Sequence, residues 1–577
     1  MGSEMCIRDR YLAENVPDSL EPGMLDFLMA TCITERISGD LGCALARVGN
    51  GQALLEQAEG QDLFLRRLDD DREWFCYHHL FAEFLLRRLE RDQPERVVPL
   101  HSTASRWFAA HNLMREAVDH AIAAGEDERA VELMELHGID LTQRGKTSTL
   151  LALVSKLPPD VLGRSPRLQL MAAWANMLLQ RPTAAFAALD MFESTAERHT
   201  LSAAEFHDMR VEADVIRAVM ECGADHTAGV DELISECLSR PETLPADVVA
   251  SAALVASFLD IYRFDFNGAR RWQDWPDPYH RRANGPFTLI YRYCLAGMAA
   301  NAELDVAAAE RCFRTALQVA ERSEATASHA ARLAYALLGE LLYERGEVVE
   351  AERLLGENFQ LGTDRGVVDN MIARYVTGAR IQVLRGDPVA AAGVLNDGAD
   401  VAVARDLPRL RAHVDSERTR LGLPTSPWGA HDHALPNGGL GEITAQHRDE
   451  TDIRGLLADD PGRACERARA WVWRLQDQGR PRALLHANRL LVECLRAADE
   501  TEEAKATLAR ITAQCAEHDM RRHLLDGGSA VVALLAELRD DLHGGRWNQS
   551  WSPVPPAFLD TVVGQPQSSA DRPAGPP

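Results

Sequence analysis

The sequence predicts a mainly α protein, an N-terminal winged helix followed by a tetratricopeptide-like α-solenoid superhelix. Three observations carry this. Strand-like runs are confined to Leu63-Phe64-Leu65 and Trp74-Phe75-Cys76-Tyr77. From about Pro99 to Leu542, Ala-rich amphipathic segments alternate with short breaks at Gly, Asp or Pro, the pattern of stacked helices. One motif also recurs: a Gly/Asp/Glu break, about three residues, an Ala, then apolar positions at helical spacing.

The N-terminal part has helical apolar spacing at Leu25, Leu28 and Met29 and again at Leu41 and Leu45, ahead of the two strand runs. Asp69-Asp70-Asp71 between those runs suits a turn, because Asp tolerates turn geometry and resists burial. Helices followed by a β-hairpin make a winged-helix layout. The next segment, HHLFAEFLLRRLERD, places Leu80, Phe84, Leu85 and Leu89 on one helical face.

The repeat motif appears as GEDERAVELM from Gly125, ELDVAAAERCF from Glu303, GEVVEAERLL from Gly346, GDPVAAAGVL from Gly386 and ADETEEAKATL from Ala498. Glu310-Arg311 and Glu352-Arg353 are 42 positions apart, and Gly346 and Gly386 are 40 apart. Such periods fit two helices and a connector, each hairpin burying its remaining apolar face on the next. The predicted organisation is a non-native leader (1–10), winged helix (11–95), helical repeats (97–422), a loop or hinge (423–452), further repeats (453–545) and a disordered Pro-rich tail (546–577).

Composition narrows the function. Lys plus Arg total 62 against 87 Asp plus Glu, a formal charge of -25, so the overall field repels phosphate backbones and no direct nucleic-acid contact is expected. No apolar run has the roughly 20 residues of a membrane span. The 11 cysteines are scattered without a C-x-x-C pair, as expected for reduced thiols in the cytoplasm.

Catalytic and metal signatures are weak. Arg144-Gly145-Lys146-Thr147-Ser148 imitates a phosphate loop, but position 140 is Asp where that motif requires Gly, so a helix end and a cap are the better reading. His431 and His433 stand without a third ligand nearby, leaving no predicted metal site. No catalytic residue is predicted, and the chain is expected not to be an enzyme. Tyr262, Trp272, Trp275, Tyr291 and Tyr293 are candidate ligand or partner residues on the inner solenoid surface, with inter-repeat core as the competing reading.

The segment YHHLFAEFLLRRL, with LHSTASRWFAAHNLMREAVDHAIAAGEDERAVELM after it, resembles the maltose-regulator-type, LuxR-family large ATP-dependent transcriptional regulators of bacteria. The matching positions are Tyr77 to Phe81, Leu100-His101, Ala104, Trp107-Phe108 and Glu116 to Ala121. The likeness runs on through ELLYERGEVVEAERLL, VLRGDPVAAAGVL and HLLDGGSAVVALLAEL. It covers most of the stretch from Tyr11 to about Leu542; residues 190 to 300 match only in style.

The resemblance implies a signal-transducing ATPase whose helical array senses a small-molecule inducer or a regulatory protein and which can self-associate. Nucleotide-binding and DNA-binding motifs of that family do not occur in this sequence, so a sensor fragment without its own cofactor is expected. ATP and ADP would belong to the complete protein, and His78 is the position implied to touch bound ADP. The alternative is a free-standing tetratricopeptide-like protein-interaction scaffold.

Overall fold

The computed structural model describes residues 20–564 except 62, 69–73, 144–145, 196–200, 276–277, 280–284, 324, 361–365 and 426–437. The leader, the Asp69–Asp71 turn, Gly145, His431 and His433 therefore lie outside the described residues. The chain divides into two compact units. Unit 1 holds Met1–Thr142, Lys146–Asn176 and Thr183–Leu201; unit 2 holds the two short intervening pieces and Ser202–Pro577.

Unit 1 begins with α1 (Pro22–Thr31), β1 (Ile37–Ser38), α2 (Gly39–Ala46), α3 (Gly51–Gly60), β2 (Leu65–Arg67), β3 (Trp74–Tyr77) and α4 (His79–Asp92). The sheet order is β1-β3-β2, antiparallel throughout, with Ile37 opposite Phe75 and Leu65 opposite Tyr77. Phe27, Ile37, Leu41, Leu55, Phe75 and Phe81 form its core at no more than 1% exposure. A Cβ on Gly51 would meet the Gly39 carbonyl oxygen at 2.3 Å, so glycine there lets α3 cross α2 at backbone contact.

One sequence expectation shifts here, and one strand left no signal in the sequence. The run Leu63-Phe64-Leu65 does not form a strand as a whole, because Phe64 takes φ 55° and pairing starts at Leu65. The two-residue β1 is too short to produce an alternating pattern. Unit 1 continues with α5 (Pro94–Ala110), α6 (Met114–Ala123), α7 (Asp127–Gln143), α8 (Thr147–Val154), α9 (Pro159–Leu162), α10 (Pro166–Leu178) and α11 (Pro182–Ser194). Its apolar core is continuous from Met24 to Ala175.

Unit 2 is made of helical hairpins. Its helices are α12 (Ala203–Gly223), α13 (Val230–Ser239), α14 (Ala246–Tyr262), α15 (Phe266–Asp274), α16 (Pro286–Ala302), α17 (Val306–Arg322), α18 (His329–Arg345) and α19 (Val348–Gln360). Then α20 (Val368–Ile372), a π-helical turn (Ala373–Thr377) and α21 (Gly378–Leu384) run on as one rod. They are followed by α22 (Pro388–Ala404), α23 (Pro408–Arg420), α24 (Gly438–Leu456), α25 (Pro461–Asp477), α26 (Pro481–Ala497), α27 (Thr501–His518), α28 (Arg521–Leu525), α29 (Gly528–His543) and α30 (Pro556–Gly564).

The recurring sequence break is a helix C-cap joined directly to an N-cap. Gly386 has φ 79°, the Asp387 N–H donates to the Gln382 carbonyl at 3.0 Å, and the Asp387 carboxylate accepts from Ala390 N–H at 2.8 Å. Leu304 (φ 65°) and Asp305 repeat the turn, with bonds of 2.9 and 3.0 Å to Ala300 and from Ala308. The left-handed residue satisfies the last carbonyls of one helix, and the Asp satisfies the first amides of the next.

Two boundaries need correction. The stretch 423–452, expected to be a loop or hinge, contains most of α24, whose Leu440, Thr444 and Ile453 are buried. Its Gly-Gly start reads as a breaker, yet a Cβ on Gly439 would meet the Tyr262 carbonyl oxygen at 1.7 Å, so close helix approach selects glycine. The tail, expected to be disordered from 546, contains α30, with Leu559 and Val562 buried. Pro556 opens that helix, where a missing N–H costs nothing.

Candidate functional site: charges inside unit 2

Outer helices such as α17 bury a single apolar stripe: Val306, Ala309, Phe313, Ala316, Leu317 and Ala320. Helices α14, α18, α20–α21, α23, α24, α26 and α28 behave differently. Buried positions surround α18, Glu344 among them, and α23 buries Arg409, Asp415, Ser416 and Glu417 beside Leu410 and Val414. Their charged side chains meet one another across the interior.

Arg409 is the first node. It is 2% exposed and donates to Asp225 from Nε at 2.6 Å and from Nη2 at 2.8 Å. It also reaches Asp369 at 2.9 and 3.1 Å and the Tyr262 hydroxyl at 3.0 Å. Tyr262 in turn donates to Asp369 at 2.6 Å. Burial by itself would raise the Asp369 carboxyl, but Arg409 and Tyr262 outweigh it and hold the group below its usual range. One guanidinium thus joins α23 to α14, α20 and the end of α12.

The second node centres on Glu417, 3% exposed, which accepts from Arg380 at 2.8 and 3.1 Å and from Arg420. Arg420 also donates to the Asp526 carbonyl at 3.1 Å, and the Asp526 carboxylate takes Tyr343 OH at 3.0 Å and Arg522. Burial pushes Glu417 up and the two guanidiniums push harder the other way, leaving it far below an ordinary carboxylate.

Glu450 is the third node. It accepts from Ser416 at 3.1 Å and Gln446 at 3.2 Å, with His447 Nδ1 at 3.1 Å, while the His447 ring lies 3.6 Å from that of His413. The fourth is Arg482, which donates to Glu344 at 2.7 Å and Asn301 at 3.0 Å. Glu340, one turn before Glu344 on α18, is raised to about 7 by burial and then by the Glu344 charge. Removing either member of such pairs strands a charge in low dielectric, so the network specifies one arrangement of these helices.

The sequence candidates distribute unevenly over this architecture. Tyr262 is buried at 6% exposure and belongs to the Arg409 node. Tyr291 is half-buried, with its hydroxyl 2.7 Å from His329 Nδ1, and Tyr293 is half-buried two positions on. Trp272 and Trp275 pack edge to face at 5.5 Å, and Trp275 is 39% exposed. Of these five, only Tyr262 joins the charge network. His78 lies in unit 1, exposed at the start of α4, with its ring 4.5 Å from that of His79. Sequence reasoning missed Arg409, Arg380, Glu417, Arg482 and Asp526.

Comparison with known proteins places these features. Residues 13–97 match the family described as the MalT winged helix domain. The chain is 44% identical over 528 residues to the serine/threonine-protein kinase PknK of Mycobacterium tuberculosis (strain ATCC 25618 / H37Rv), and to PknK of Mycobacterium bovis to the same extent. That alignment takes in 90% of this chain and 47% of the relative. The HTH-type transcriptional regulator MalT of Yersinia enterocolitica is 29% identical over 228 residues, 40% of this chain and 25% of that one. The chain spans about half the length of the PknK relatives it matches.

The chain is therefore a helical module related to transcription regulators, and its likeness to MalT holds at that coarse level. One expectation is overturned. The expectation that the chain is not an enzyme does not stand, because a relative matched along 90% of this chain, and spanned by it over 47% of its own length, is a serine/threonine-protein kinase. Among the described residues no helix is long and apolar enough to cross a membrane, and no group of three or more His, Cys, Asp or Glu could hold a metal ion.

Proposed function

We propose that unit 2 is the signal-receiving region of a signalling protein whose output is serine/threonine phosphorylation. The observation that carries this reading is the inner charge network. A network that holds distant helices in one arrangement links each of its members to the others, so a ligand that favours a different arrangement shifts the population of the whole array. The likeness to a protein kinase supports phosphorylation as the output, and the likeness to MalT supports reception of an inducer or regulatory protein.

The exposed position of His78 agrees with the resemblance that brings it to bound ADP held elsewhere in the protein. The test is phosphotransfer from radiolabelled ATP in the protein that carries this chain. Glu344→Gln and Arg482→Gln, both shown to be folded by circular dichroism, are expected to change the rate at least several-fold, whereas Trp473→Ala, at an exposed outer position, leaves it unchanged. Unchanged phosphotransfer in the two interior variants would refute the reading.

A further inference from the structure

One part of the interior of unit 2 gathers buried polar groups without partners. His523 is 2% exposed, and neither ring nitrogen has a side-chain hydrogen-bond partner, although the Leu485 backbone faces the ring. Arg489, 5% exposed, donates from Nη1 to the His523 carbonyl at 2.9 Å, while its Nε–H meets nothing. Arg522 Nε, on the same short helix as His523, is also buried without an acceptor. Each such group is destabilising unless an acceptor or donor reaches it.

Most nearby carboxylates are committed to other cations. Glu344 takes Arg482 at 2.7 Å, Glu417 takes Arg380 and Arg420, and the Asp526 carboxylate takes Arg522 and Tyr343. Glu493, one turn beyond Arg489 on α26, turns Oε2 to Arg454 at 3.4 Å and leaves Oε1 buried without a partner. Among the described residues Arg489 makes no ion pair, although Glu493 lends it some opposing charge.

The place is also reachable. The His486 ring packs edge to face on that of His523 at 4.6 Å and keeps 27% of its side chain exposed, and the neighbouring Arg482 keeps 16%.

We propose that Arg489, His523 and His486 form a binding site for a small oxyanion, the phosphate or carboxylate group of a soluble metabolite. An oxyanion supplies acceptors to Arg489 Nε–H and to the imidazole N–H groups, and its charge meets the one guanidinium of the cluster without a carboxylate. The field agrees. Burial, and then Arg489 and Arg482, push the His523 imidazole well below its ordinary range, and His486 is depressed by burial and then by His523, Arg482 and Arg489. A bound anion reverses that field and raises both.

The site rests on reading unit 2 as a receiver only for its consequence, since binding is measured on this chain alone. Melting temperature is followed against sodium phosphate and sodium succinate, with sodium chloride at matched ionic strength as reference. The expected result is a saturable rise with at least one of the two anions. Arg489→Gln then weakens the apparent affinity at least tenfold, while Arg91→Gln in unit 1, 72% exposed at its side chain, does not.

Should Arg489→Gln fail to fold, Arg489→Lys keeps the charge, loses the planar fork and is expected to weaken binding as well. No saturable rise beyond the chloride reference, or unchanged affinity in the folded Arg489 variant, overturns the site. Binding without any effect on phosphotransfer would refute the receiver reading and leave the site standing.

Discussion

Arg409 and Asp225 lie 184 positions apart and close a two-pronged ion pair at 2.6 and 2.8 Å with 2% exposure each. Nothing local brings them together. The pair exists because α23 returns to the end of α12, and it reports on the closure of unit 2 as a whole. Arg409→Ala leaves Asp225 and Asp369 buried without their shared cation, and is expected to cost about 3–5 kcal/mol. Urea unfolding followed by the tyrosine and tryptophan signal measures it. A loss below about 1 kcal/mol would place the pair among ordinary surface bridges.

Acid and base act oppositely on two other places. Glu340 is raised to about 7 in the folded chain, above its unfolded value of about 4.3. The folded state therefore holds the extra proton, and this group's contribution falls as pH rises from about 4 through 7. Glu340→Gln removes that decline, so the variant melts higher than wild type at pH 8 and the two converge near pH 4. Melting curves at intervals between those limits check the sign.

In unit 1, His101 and His120 stand Nδ1 to Nδ1 at 2.8 Å, and the His120 ring stacks on Phe108 at 5.3 Å. Burial first, and then the His101 charge, lower His120 to about 4. The unfolded chain takes up its proton near pH 6.5, so this contribution is complete above that pH and is lost as pH falls towards 4. His120→Gln is expected to flatten the acid limb of unit 1, followed by hydrogen exchange of α5 and α6.

Gly439→Ala tests close packing without any charge. Its added Cβ collides with the Tyr262 carbonyl oxygen at 1.7 Å and forces α24 off α14. A loss of about 1–3 kcal/mol is expected, whereas Gly455→Ala on the same helix, which meets nothing within 4 Å, is neutral or slightly stabilising. Equal behaviour of the two variants would contradict this packing.

How much of this could be read from the chain depends on which helices carried it. Outer helices such as α17 announce themselves, because one apolar stripe on a polar rod has a period, and the Gly386-Asp387 break states its own turn chemistry. The strand Trp74–Tyr77 was equally plain. Helix α23, PRLRAHVDSERTR, has the composition of a solvated surface helix and is buried. Its burial depends on partners up to 184 positions away, and no local pattern contains them. Helix α18 gave a weaker hint, since Glu340 interrupts its long apolar stretch from Leu333 to Tyr343 and Glu344 ends it.

Hydrogen exchange in the Asp225→Ala variant tests most directly whether the interior charges act as one unit. If they do, amide protection falls not only around residues 220–230 and 405–412 but also in α18, α26 and α28, around Glu344, Arg482 and Asp526. Loss of protection confined to the two segments that flank Asp225 and Arg409 would show separate local bridges and contradict the account.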